Sequence, residues 1–313
     1  MSVSGSFGNH ISGYDVSGFS SLAFFTETAV SDKLLMLSTS IFDKAIVEAS
    51  SEIGTLVAAN TQNQEPTKVW RSASAVNQHL KVTLHRPEVL NCAAFTFWQG
   101  GLSDAAVWRV KIYATEDDML DDVDAVVDTD WESVWPQDYV HNSEDWGPEV
   151  ALLRWDNDVA YRHARILFSD PGVGAVYLDI GRVGLGKSIQ FQLNPKHDGG
   201  VGFVSIDVQE ANGYGQIFTD PRPYQQRQFD LVWSALGDRE MKEDASELTR
   251  LRGQAGDLYV FLNPGARTDF HLKSMQCLFG SSHKFTPLPS YVQDKDGVGR
   301  NGWSFSATLL QKL

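Results

Sequence analysis

The chain has 313 residues, 42% hydrophobic and 21% charged, which suits one large or two ordinary packed domains and excludes a disordered chain. A formal charge of −14 is the wrong sign for gripping phosphate backbones, so DNA and RNA are excluded as direct ligands. No run approaches the roughly 18 apolar residues of a membrane-spanning helix, and the opening MSVSGSFGNH has neither the basic nor the apolar region of a signal peptide.

Residues 1–44 are rich in Gly and Ser around an apolar stretch from Phe19 to Val30. They are expected to form an extended arm lying on a neighbouring subunit, with Phe19, Leu22, Phe24 and Phe25 as its assembly contacts, because a lone chain rarely leaves such a patch uncovered. The pattern from Lys33 to Ile46 fits either a helix or a strand. From Ala45 the signals are β. Lys81–His85 alternates and is expected to stop at Arg86-Pro87. Cys92–Trp98 follows, closed by Gly100-Gly101, and then Val107–Ala114, where Trp108, Val110 and Ile112 share one face.

Between Lys111 and Arg154 there is no Lys or Arg, yet thirteen Asp and Glu run from Glu116 to Glu149. Such a segment is expected to be solvated and loop-like, with Asp121, Asp122 and Asp124 as weak candidates for a hard cation. It also carries Trp131, Trp135 and Trp146, whose indoles fit either a protein interface or stacking on a sugar. Strand pattern resumes at Ala160–Phe168, turns at Asp170-Pro171-Gly172, and returns at Ala175–Val183.

Gly181–Ser188 reads GRVGLGKS, a literal phosphate-loop match. That chemistry needs a helix directly afterwards, whereas Ser188–Leu193 alternates like a strand and ends in Asn194-Pro195. The glycines are expected to form a hinge between two domains, 45–187 and 188–313. In the second, Val201–Val208, Gln228–Ser234, Leu258–Leu262 and Gly302–Leu310 read as strands. One helix is signalled, opened by Asp238, with Met241, Ala245 and Leu248 on one face and Gly253 at its end. Asp294-Lys295-Asp296-Gly297 reads as a tight turn rather than a calcium loop. No serine elbow, reactive cysteine or zinc-ligand spacing appears, so neither catalysis nor a cofactor is expected. Cys92 and Cys277 are expected as buried free thiols.

Read together, Ala45–Glu52, Thr67–Ser72, Val82–Leu84, Arg109–Ala114, Tyr161–Ile166 and Leu178–Gly181 resemble, in order, the strands of a discoidin or galactose-binding-like jelly roll. Gly101–Arg109, with the WRS of Trp70–Ser72, resembles the version found in bacteriophage tail proteins. Gly215–Phe218, Tyr224–Arg227 and Trp303–Leu309 are similar to ring-forming domains of distal tail and baseplate proteins. The resemblance implies an all-β chain: a jelly-roll sandwich, then a β-sandwich with one α-helix. It implies a non-enzymatic virion tail-tip or baseplate subunit, made in the host cytoplasm, whose partners are other copies of itself and neighbouring tail proteins. The alternative is a carbohydrate-binding module for host surface glycans. A metal-assisted hydrolase of cell-wall glycans is a third reading, without two carboxylates that stand out.

Overall fold

The computed structural model describes residues 33–98, 101–136, 148–172, 174–196, 201–204, 208–211, 217–220, 226–246, 248–249, 256–266, 270–293 and 299–312. In chain order the first block runs β1 (Leu35–Ser38), β2 (Ile46–Ala49), β3 (Trp70–Arg71), β4 (Gln78–Val89), β5 (Cys92–Phe97) and β6 (Val107–Tyr113). It continues with helix α1 (Glu116–Asp121), β7 (Val127–Asp128), β8 (Glu132–Ser133), β9 (Glu149–Arg154), β10 (Ala160–Ser169), β11 (Asp179–Ile180) and β12 (Val183–Gly186). The second block holds β13 (Ser188–Gln190), β14 (Val201–Val204), β15 (Val208–Ala211), β16 (Ile217–Asp220), β17 (Gln226–Leu236) and a π-helical turn, Glu240–Ala245. It ends with β18 (Asp257–Phe261), a short helix α2 (Phe270–Lys273), β19 (Ser274–Gln293) and β20 (Gly299–Gln311). The chain is all-β, and no helix among the described residues is long and apolar enough to cross a membrane.

The first block is a sandwich. One sheet has the order β2-β4-β10-β6-β7, with β8 also on β6, and the other has the order β12-β5-β9. Alternation drives their packing: Trp108, Val110 and Ile112 of β6 and Ala164, Ile166 and Phe168 of β10 turn inward, where Phe95 meets Trp108 at 4.8 Å and Phe168 at 5.2 Å, both edge-on. Pro87 does not end β4, contrary to the sequence expectation. Val89 and Glu88 pair with Ala160 and Tyr161, pairing resumes at Thr83 with His163, and the residues between bulge out of the ladder, so the missing proline N–H costs no bond.

The second block is built on a seven-stranded sheet of order β13-β1-β18-β19-β20-β17-β14, beside a separate β15–β16 pair. The segment whose pattern fitted helix or strand therefore supplies a strand, and residues that sequence division counts with the arm lie between β13 and β18. The jelly roll is thus an insertion, entered after β1 and left through β12. Leu34, Met36, Leu258 and Val260 face the core of the second block with Trp233 and Phe305, whereas Leu35, Leu37, Tyr259 and Phe261 pack against Cys92, Ala94 and Val150 of the jelly roll. The expected helix is a π-helical turn over Glu240–Ala245; Ala245 and Leu248 lie in the second core, and the expected end at Gly253 falls outside the described residues.

The phosphate-loop match dissolves into β12 and β13. Its glycines are packing positions, which corrects the hinge expectation: a Cβ on Gly184 would stand 2.9 Å from the Tyr259 ring, and one on Gly181 2.7 Å from Thr96 Oγ1. Between them Arg182 is 0% exposed. Its Nε donates to Asp257 Oδ2 at 2.9 Å, and its Nη2 to Asp257 Oδ1 at 2.9 Å, to Thr39 Oγ1 at 2.7 Å and to Asp43. Gln276 Nε2 and Thr39 Oγ1 also donate to Asp257, and Tyr259 Oη donates to the Arg182 carbonyl. A buried charge demands such pairing, so the two blocks meet at a fixed seam.

Candidate functional site

Four connections gather at one end of the jelly roll: 50–57 after β2, 72–77 before β4, 101–106 before β6, and 170–172 with 174–178 after β10. Short polar side chains tie them together. Ser50 and Ser51 hydroxyls both donate to Gln78 Oε1, and Ser51 Oγ accepts from the Ala73 amide at 2.9 Å. The buried Asp170 carboxylate accepts from the Ser103 amide at 2.8 Å, from the Ser103 hydroxyl, and from the Gly172 amide at 3.0 Å. Ser72 Oγ accepts from the Leu178 amide at 2.9 Å. Each bond spans two loops or stiffens one, so the end is shaped before any ligand arrives.

Apolar side chains stand out on this end. Val176 is 70% exposed, Val76 43%, and Tyr177 and Ile53 41% each. Tyr177 is held by charge: the Arg71 guanidinium lies 4.0 Å from its ring centroid, a cation–π contact. Arg71 is itself clamped, donating from Nε to Asp179 Oδ1 at 2.7 Å and from Nη2 to Asp179 Oδ2 at 2.6 Å. The hydrogen bond to Asp179 holds the Arg71 proton above its ordinary range, so the cation is permanent. The result is an exposed aromatic face on a fixed, neutralised base. It offers stacking and a polar rim.

The residues singled out by sequence fall elsewhere. Trp131 is 38% exposed. Trp135 is buried at 6%: its indole N–H donates to the Ser103 carbonyl at 2.7 Å and its ring meets Phe97 edge-on at 5.1 Å, so it supports the loop end from beneath. Trp146 lies outside the described residues, as do Phe19, Leu22, Phe24 and Phe25 of the arm and the Asp294–Gly297 turn. Asp122, in left-handed backbone after α1, accepts from Lys111 Nζ at 2.8 Å and from Tyr113, with Arg165 Nη1 at 3.4 Å. Partial burial pushes its carboxyl up, but the bonds from Lys111 and Tyr113 outweigh this and hold it below the usual carboxylate range. Asp121 and Asp124 are exposed, and among the described residues no three His, Cys, Asp or Glu side chains group as metal ligands. Cys92 and Cys277 are free and buried, and burial pushes the Cys92 thiol up to about 12.

Arg71 and Tyr177 form a pair that no local pattern in the sequence reveals. Their link through Asp179 spans 108 residues and exists only because β3 pairs with β11. A tyrosine in a turn-rich stretch with a charged i+2 neighbour is a local signal for Tyr177 alone.

No family model matches this chain, and no curated protein matches it in sequence. Its structural neighbours include family 32 carbohydrate-binding modules. The module of Clostridium perfringens NanJ in complex with galactose is 13% identical, with a TM-score of 0.35, covering 49% of this chain and 99% of the module. A second Clostridium perfringens module, in complex with GalNAc-β-1,3-galactose, is 11% identical with a TM-score of 0.33, covering 48% and 99%. A Streptococcus pneumoniae fucose-binding module is 13% identical with a TM-score of 0.31, covering 45% and 89%.

Proposed function

We propose that this chain is a non-enzymatic carbohydrate-binding protein, whose jelly roll presents its loop end to a host surface glycan. The observation that carries the reading is Tyr177, exposed on the clamped Arg71–Asp179 pair: a sugar's C–H face packs on such a ring, and neighbouring loop groups bond its hydroxyls. Trp131 is a further exposed aromatic among the described residues of the same domain. A glycan-array screen of the full chain, repeated with Tyr177→Ala, tests it. At least one saccharide class is expected to bind, and the variant is expected to lose about tenfold in affinity at unchanged melting temperature. No saccharide bound, or an equal response from the variant, sinks the reading.

A second reading is a structural subunit of a long-tailed phage tail tip or baseplate, assembled in a ring and located in the virion. One observation favours it. Beyond Trp303, toward Gly299, the β19–β20 pairing runs on past the residues that β17 pairs with. A two-stranded ribbon is marginal alone and gains from a neighbour. Light scattering and imaging of the purified chain decide this: a closed ring supports it, and a monomer also in the presence of tail extract counts against it.

A further inference from the structure

The outer face of the larger jelly-roll sheet carries a stripe of cations in a chain of net charge −14. Register places Lys81, Arg165 and Lys111 side by side on β4, β10 and β6, and His79, Leu167 and Arg109 in the next row. Like charges directly opposite each other are unfavourable. Among the described residues the groups that bond this stripe sit on its β6 side: Asp122 serves Lys111 and Arg165, the Leu120 carbonyl accepts from Arg165 Nη2 at 2.7 Å, and Asp128 and Asp130 serve Arg109. On the β4 side matters differ. The side chains of His79 and Lys81 have no hydrogen bond or ion pair among the described residues, although Glu48 of β2 stands opposite Lys81 in register. Arg165 is 7% exposed, and its buried Nε has no partner among the described residues.

We infer that His79 and Lys81, backed by the buried charge of Arg165, form a site for an anionic oxygen-bearing group, a sulfate or a carboxylate. Lys81 and the protonated imidazole make the contacts, and Arg165 supplies fixed charge from below. The site borders the loop end: the His79 amide donates to Ser50 Oγ at 3.0 Å, and the adjoining Gln78 receives Ser50 and Ser51. A charged substituent on a bound glycan would therefore reach it, a source that rests on the reading above, whereas the site itself does not. In the unliganded chain burial lowers the proton affinity of His79, helped by Arg165 and Lys81 and opposed by Asp122, and a bound anion must raise it by linkage.

The test follows the His79 ring by NMR through a pH titration of the full chain, with chloride exchanged for sulfate at constant ionic strength. Sulfate is expected to raise His79 proton affinity saturably by about fivefold. His163, buried in the adjoining row, should not respond. Lys81→Gln is expected to abolish the effect and Lys81→Arg to keep it. A change no larger in sulfate than in chloride, or an equal response from a folded Lys81→Gln, overturns the site. A uronate-bearing oligosaccharide that saturates the effect below the sulfate concentration identifies the anion as part of a glycan. A response to sulfate alone identifies a free anion and leaves the site standing even if no sugar binds.

Discussion

Arg182 shows how one residue can decide an architecture. Its guanidinium is sealed between the two blocks and satisfied by Asp257, Asp43 and Thr39. Neutralising Asp257 leaves the sealed guanidinium with the Asp43 carboxylate alone, so Asp257→Asn is expected to cost about 3 kcal/mol, read as a lower urea midpoint at unchanged slope. Replacing both, as Arg182→Met with Asp257→Leu, should recover most of it. His163 makes the corresponding case for protons. Burial lowers its pKa, the charge of Glu116 opposes this, and its Nδ1 has no partner among the described residues. A folded-state pKa below the unfolded value means that the stability it supports is present above the unfolded pKa and lost as pH falls through the folded one. Asp122, also lowered, acts in the same direction at lower pH. Equilibrium unfolding of His163→Gln is therefore expected to lose the part of the acid sensitivity that lies just below pH ~6.5; an unchanged pH profile would rule out that assignment.

The elements were more legible than their partners. β6, β17 and β20 follow from alternation, because period two is a local property that side-chain burial largely repeats on every second residue, whereas β18 follows from a short apolar run buried at every position. Short β1 was not decidable, since LMLS flanked by Leu34 is apolar on both faces; it is buried on both faces between the two cores, which erases the period. The acidic segment read as loop hides α1, capped by the Thr115 hydroxyl accepting from Asp118, and β7, fixed by Arg109 reaching Asp128. The Arg109–Asp128 contact joins residues 19 apart and leaves no periodic trace. Gly184 in β12 was visible as a glycine but not as a contact. Gly184→Ala is expected to cost about 1–3 kcal/mol through collision with Tyr259, measured by thermal or urea unfolding, and Tyr259→Phe should not relieve it because the ring carbons collide, not the hydroxyl.

At the scale of the whole molecule, an inserted jelly roll shares its β12-β5-β9 sheet with two cores, one on each face. Cut free at residues 45 and 187, it would expose Cys92, Ala94, Val150 and Leu152 and strand Arg182 without Asp257. The full chain is therefore expected to unfold its described core in one transition, with the isolated jelly roll aggregating or molten; two separated transitions would refute the shared seam. A seam that does not swing gives the loop end a fixed direction relative to the second block. The measurement that tests this most directly is backbone chemical-shift mapping of the full chain with the best saccharide from the array. The account predicts saturable shifts confined to residues 51–56, 71–77 and 170–179, with Tyr177 the largest. Shifts centred instead on Trp131 or on the β19–β20 ribbon, or no saturable shift with any saccharide, would contradict it.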